Sequence, residues 1–108
     1  MIREIAPAEL ARWRADGNRE PPVVVDVREG WELACCALDE VVHVPMRELP
    51  GRVGDLPRGR DVVVVCHHGV RSLQVARYLA RLGFDAVWNL TGGMAAWADQ
   101  VDPAMPRY

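Results

Sequence analysis

The sequence predicts an α/β domain built on a mainly parallel sheet. Val23-Val24-Val25 and Val62-Val63-Val64-Val65 are unbroken apolar runs, the pattern of strands covered on both faces, as parallel strands are. Segments with helical spacing of apolar residues lie between such runs, so strands and helices alternate along the chain. Cys66 ends the longer run, and a helical pattern opens soon after it. That places the cysteine at the carboxyl end of a strand, where sheets of this kind bind their ligands.

Residues 2–5 read as a first strand. Pro7 suits the first turn of the next helix, where its missing N–H is not needed. Leu10 and Trp13 give that helix an apolar stripe, and Ala6, a poor N-cap, makes its start weak. Asp16-Gly17-Asn18 ends the helix, and 19–22 is a loop. Residues 23–27 form the second strand and 30–35 a short helix. A third strand over 41–44 is stopped by Pro45, a helix over 46–56 is broken by Pro50 and Gly51, and 57–61 is a turn.

After the 62–65 strand, 72–82 is the strongest helical segment. Leu73, Ala76, Leu79 and Ala80 form its apolar stripe, with Leu82 near its end, while Gln74, Arg77 and Arg81 face water. Gly83 supplies the C-cap. Residues 86–90 form a fifth strand, Thr91-Gly92-Gly93 a turn, and 94–98 the start of a last helix. The chain reads as one domain over 1–108, with 102–108, which holds two prolines, as an extended C-terminal tail.

A net charge of −2 gives no basic surface for nucleic acid or membrane. The first residues carry Arg3 and Glu4 where a signal peptide needs an apolar run, and no segment approaches the length of a membrane span. A cytoplasmic location is the expectation. All 13 cationic side chains are arginine, which excludes Schiff-base chemistry by lysine. The three cysteines Cys35, Cys36 and Cys66 make no disulfide framework. Together with His43, His67 and His68 they match neither C-x2-C nor H-x3-H spacing, so no metal is expected.

The chemistry concentrates in Cys66-His67-His68-Gly69-Val70-Arg71-Ser72. A strand, a short loop and a helix start aim backbone N–H groups at one spot, and the helix N-terminus adds partial positive charge there. A cysteine so placed favours its anionic form, the nucleophilic one. Asp26 and Arg28 end the second strand at the same edge of the sheet.

The chain resembles the single-domain rhodanese family of sulfurtransferases over nearly its whole length. The resemblance rests on Asp26-Val27-Arg28-Glu29, His43-Val44-Pro45, the Cys66-to-Ser72 loop, Gly83-Phe84, and Leu90-Thr91-Gly92-Gly93 with Trp97. It implies a three-layer α/β/α fold with a five-stranded sheet ordered 1-5-4-2-3, in which Arg28 and Cys66 flank one crevice. It also implies the reaction: Cys66 takes a sulfane sulfur from a donor such as thiosulfate, carries it as a persulfide, and passes it to cyanide or a thiol. No cofactor is implied beyond that persulfide. The implied partners are a small anionic sulfur donor and a thiol or protein acceptor, with no nucleic acid or membrane.

Carried onto this chain, Cys66 is the nucleophile, and the backbone of His67, His68, Gly69, Val70 and Arg71 cradles the sulfur and the donor's oxygens. Arg71 and Arg28 bind the anionic donor. Asp26 orients Arg28 or the loop, or serves as a strand-end turn carboxylate, and Ser72 caps the helix. His67 and His68 stand where strongly thiosulfate-active relatives hold a permanent cation; each reads either as a cationic donor when protonated or as a solvent-facing loop histidine.

The chain departs from the family between the second and third strands, where Gly-His-Ile-x-Gly-Ala is usual and Cys36-Ala37-Leu38-Asp39-Glu40-Val41 stands here. Glu40 occupies a usual glycine position, and Cys35 and Cys36 read as packing residues or, less readily, as resolving thiols. Three rival functions differ in one feature each. A phosphatase or arsenate reductase on this scaffold has a Cys-x5-Arg loop, whereas here four residues separate Cys66 from Arg71. A non-enzymatic binding module would lack the cysteine. A protein-to-protein persulfide carrier would share the chemistry and differ in its partners.

Overall fold

Residues 2–108 are described by the computed structural model. At its centre lies β4 (Val62–Val65), all four valines buried, as the unbroken run predicts. β5 (Val87–Leu90) flanks it on one side and β2 (Val23–Asp26) on the other. β1 (Ile2–Ile5) adds beyond β5, and β3 (Val42–His43) beyond β2. The order is β1-β5-β4-β2-β3 and every pairing is parallel, the topology that the resemblance implies.

Alternation along β4 builds two cores. Val62 and Val64 face α4 (Val70–Arg81) and α3 (Leu49–Arg52), packing with Leu49, Val75, Leu79 and Phe84. Val63 and Val65 face α1 (Pro7–Ala15) and α5 (Gly93–Gln100), packing with Leu10, Met94 and Trp97. α2 (Gly30–Cys35) stands at the carboxyl end of β2. Among the described residues, no helix is long and apolar enough to cross a membrane.

Three elements differ from their sequence expectation. β3 shrinks to two residues because it is an edge strand paired with β2 only at Val25–Val42 and Asp26–His43. The 46–56 segment is broken, but Pro50 sits inside the first turn of α3, where a missing N–H is tolerated. Its breaks are the 3-10 turns Met46–Glu48 and Val53–Asp55 on either side.

α4 starts at Val70, directly after Gly69, and buries Ser72, Val75, Ala76 and Leu79. Leu73 and Ala80, expected in that stripe, are only half-buried, and Leu82 is exposed. Gly83, at φ +95°, follows the Leu82 C-cap. Its N–H donates to Ala80 O (3.1 Å), and Phe84 N–H donates to Leu79 O (3.2 Å). These bonds close the helix in a Schellman motif with Phe84 buried beneath it.

Glu40 has φ +58°, the one non-glycine residue at positive φ among those described. A Cβ in this region costs on the order of 1 kcal/mol. Glu40→Gly is therefore expected to stabilise the fold by roughly 0.5 kcal/mol, once glycine's larger unfolded-state entropy is subtracted. A thermal melt checks this. A lower melting temperature would show that the Glu40 side chain makes interactions that outweigh its backbone strain.

Candidate active site

The loop after β4 turns on Gly69, at φ +94°, which brings its N–H to within 3.0 Å of Cys66 Sγ. The loop carbonyls are held from outside by the N-terminus of α5. Met94 N–H donates to Cys66 O (2.9 Å) and Ala95 N–H to His67 O (3.0 Å). Gly93, at φ +60°, permits this approach, because a Cβ there would overlap both carbonyls. With these two carbonyls turned toward α5, the Gly69 N–H is the loop amide that meets the sulfur. Gly92, at φ +75°, answers a different demand, since a Cβ there would meet the Ala96 Cβ. Cys66 itself is 1% exposed.

Ser72 does not cap the helix. α4 begins two residues before it, and Gly69 takes the N-cap position. Ser72 is instead fully buried, with Oγ 3.2 Å from Cys66 Sγ and donating to Asn89 Oδ1. Its single proton cannot serve both neighbours at once. A protonated Cys66 can donate to Ser72 Oγ, whereas an anionic sulfur would draw the hydroxyl proton toward itself. Asn89 Nδ2 in turn donates to Gly69 O and to the Glu4 carboxylate, each at 3.2 Å. Asn89 escaped sequence reasoning; its only signal was a polar residue inside the apolar 86–90 run.

Arg28 is not the donor-binding cation that its sequence position suggests. It is 0% exposed and committed to internal partners. Nε and Nη2 grip the buried Asp26 carboxylate (2.9 and 2.7 Å), Nη2 also donates to Cys36 O (2.8 Å), and Nη1 donates to Tyr108 Oη (2.9 Å). Burial alone would lower the Arg28 pKa, but the bonds to Asp26 and Tyr108 outweigh it and raise it. Asp26 thus grips the Arg28 side chain, and its Oδ1 also accepts the Arg28 N–H (3.1 Å), the bond of a strand-end turn carboxylate. His43 Nε2 lies 2.7 Å from Arg28 O, which ties β3 to this corner.

Arg71 forms a bidentate pair with Glu32, Nη1 to Oε1 at 2.7 Å and Nη2 to Oε2 at 2.8 Å. Its side chain keeps 35% exposure, so Arg71 rather than Arg28 can present N–H groups outward. Glu32 is buried and was missed from sequence. Its one signal was the Glu29-x-x-Glu32 spacing of a capping box, which α2 indeed forms.

The Arg71 hydrogen bonds, opposed by burial and helped by the Glu29 N–H and Tyr108, bring the Glu32 pKa down to about 2. The folded value lies below the usual ~4.3, so this pair's stabilisation is complete above that pH and is lost as pH falls toward the folded value.

His67 is half-buried, its ring 4.1 Å from those of both His68 and Tyr108. Burial, then the neighbouring His68, lowers its pKa below the ordinary 6.5. The lowered pKa makes His67 a poorer cationic donor than an ordinary histidine.

Residues 102–108, read as an extended tail, make a turn closed by Met105 N–H to Asp102 O (3.0 Å). They then bring Tyr108 back to the site. A cavity of about 210 Å³ opens between this segment and the loop, lined among others by Cys36, His67, His68, Met94 and Tyr108. Burial and Cys36 raise the Cys35 pKa. A larger open cleft of about 500 Å³, lined among others by Arg19, Arg58, Arg60 and Asp61, lies at the amino ends of the strands and holds none of these groups.

The rhodanese-like domain family matches residues 6–100. The chain is 38% identical over 98 residues to a sulfurtransferase of Allochromatium vinosum, covering 91% of this chain and 90% of that one. It is 36% identical over 74 residues to the thiosulfate sulfurtransferase GlpE of Shewanella oneidensis, covering 68% and 73%. The crystal structure of a rhodanese-like domain protein from Staphylococcus aureus superposes with a TM-score of 0.82 at 33% identity, covering 92% and 94%. With its fold, its Cys-x4-Arg loop and these relatives in agreement, the chain belongs to the rhodanese-like domain family.

Proposed function

We propose that this protein is a sulfurtransferase that moves sulfane sulfur from an anionic donor such as thiosulfate to a thiophilic acceptor through a persulfide on Cys66. One observation carries the reading. Cys66 Sγ sits in a four-residue loop whose Gly69 N–H points at it, with the Ser72 hydroxyl alongside and the α4 N-terminus behind. The relatives named as sulfurtransferases support sulfur transfer in general.

In the first step, the Cys66 thiolate attacks the outer sulfur of thiosulfate. The new Cys66 S–S bond forms as the thiosulfate S–S bond breaks, and sulfite leaves with the electron pair. Loop N–H groups hold the charge, and the outward face of Arg71 receives the sulfonate oxygens. In the second step, cyanide or a thiolate attacks the outer persulfide sulfur, and Cys66 leaves as the thiolate. The short loop suits a sulfur atom better than a phosphate or arsenate group, which needs the longer cradle.

Trp31 and Val70, each 66% exposed, favour a variant in which the acceptor is a protein. Trp31 packs edge-on against Tyr108, with ring centroids 5.4 Å apart, and so stands beside the loop as an apolar contact. A single-turnover panel tests both readings. Thiosulfate is expected to add the mass of one sulfur at Cys66, and cyanide or a thiol to remove it. If no small acceptor discharges a thiosulfate-loaded Cys66 within minutes, the protein-acceptor variant replaces the small-molecule one. If neither thiosulfate nor any persulfide donor loads Cys66, the reading is wrong.

A further inference from the structure

Tyr108 meets both ion pairs of the site. Its hydroxyl accepts from Arg28 Nη1 (2.9 Å) and donates to Glu32 Oε2 (2.8 Å). The same Glu32 oxygen receives Arg71 Nη2 at 2.8 Å. One phenol therefore joins the buried Asp26–Arg28 pair to the Glu32–Arg71 pair that reaches the reactive loop. Its ring lies against His67 of that loop at 4.1 Å, and Trp31 packs on it edge-on. Tyr108 stands 76 residues from Glu32 and 80 from Arg28 in the chain, so this splice is made by the returning C-terminal segment alone.

We propose that Tyr108 is a positioning residue for the anionic group of the substrate, fixing Glu32 and through it the outward face of Arg71 beside Cys66. Glu32 Oε1 is already braced by Glu29 N–H at 3.0 Å, and Tyr108 braces Oε2. With both carboxylate oxygens held, the Arg71 fork has one orientation, and its free N–H groups are aimed before the anion arrives. Without the hydroxyl, Oε2 loses its fixed donor and the pair can swing with Arg71. The proposal rests on the sulfur-transfer reading only in taking the anion at Arg71 to be the sulfur donor.

The test therefore uses a probe that needs no sulfur transfer. Cys66 is alkylated with iodoacetate, an anion, or with iodoacetamide, its neutral counterpart, and the rates at Cys66 are separated from those at Cys35 and Cys36 by peptide mass mapping. Tyr108→Phe keeps the ring and removes the hydroxyl. It is expected to lower the iodoacetate-to-iodoacetamide rate ratio about three- to tenfold. In an Arg71→Ala background, removal of the hydroxyl is expected to leave the ratio unchanged, because the guanidinium that transmits the effect is gone.

An unchanged ratio in a folded Tyr108→Phe, or an equal fall with and without Arg71, overturns the proposal and leaves Tyr108 a packing residue. Thiosulfate loading of the wild type is run in parallel. Its failure would remove the sulfur reading, while the alkylation ratio would still decide the role of Tyr108.

Discussion

Cys66→Ala is expected to abolish sulfur transfer and leave the fold in place. The substitution removes the only thiol that faces the Gly69 N–H and the Ser72 hydroxyl. Cys35 ends α2 and Cys36 is its C-cap, Cys36 lying beside Arg28 and lining the cavity next to His67 and His68, and neither sulfur meets the Gly69 N–H. A covalent carrier cannot be replaced by the remaining anion site, so the loss in kcat/KM should be about a thousandfold or more. The structural cost is about 1–3 kcal/mol: one buried sulfur atom is lost and the Gly69 N–H loses its acceptor, while Ser72 keeps Asn89 as its partner. Steady-state assays beside a urea melt separate the two effects. Activity above about a tenth of wild type would move the nucleophile to Cys35 or Cys36.

Arg28→Met should produce the largest loss of stability. It removes the charge and keeps most of the side-chain length. Asp26, 1% exposed, would then hold an uncompensated charge at the carboxyl end of β2, and Cys36 O would lose its donor. Breaking one side of a buried pair costs about 3–5 kcal/mol. The double variant Asp26→Asn, Arg28→Met should recover part of that loss, because no isolated charge is left behind. Urea unfolding measures both. A loss below about 1 kcal/mol, joined to a raised KM for thiosulfate, would mean that Arg28 faces the donor after all.

The sheet was legible because its signal is local. Four consecutive valines specify a strand covered on both faces, and the Cys66 loop with its following helix needs only neighbouring residues. The site's supports were less legible because they are made at long range. Arg28 reads as a substrate cation at a strand end, and only the packing of α2 and Tyr108 over it shows that its donors are spent internally. Glu32 looked like part of a helix start, yet its main partner, Arg71, lies 39 residues away. Tyr108 follows two prolines in a segment with no periodicity, so nothing local tied it to the site. The α4 face was misjudged because Gly69 starts that helix two residues early and turns Ser72 toward the sulfur.

The clamp of α5 on the loop also bears on the order in which the molecule is made. Cys66 and His67 hand their carbonyls to the N–H groups of Met94 and Ala95, and Gly93 must lie against them for this to happen. A nascent chain emerging from the ribosome carries Cys66 well before it carries those amides. Until β5 and the start of α5 dock, the loop has no outside support to turn its N–H groups inward. Cys66 is thus present early and its loop braced late, only once β5 and the start of α5 have been made and docked.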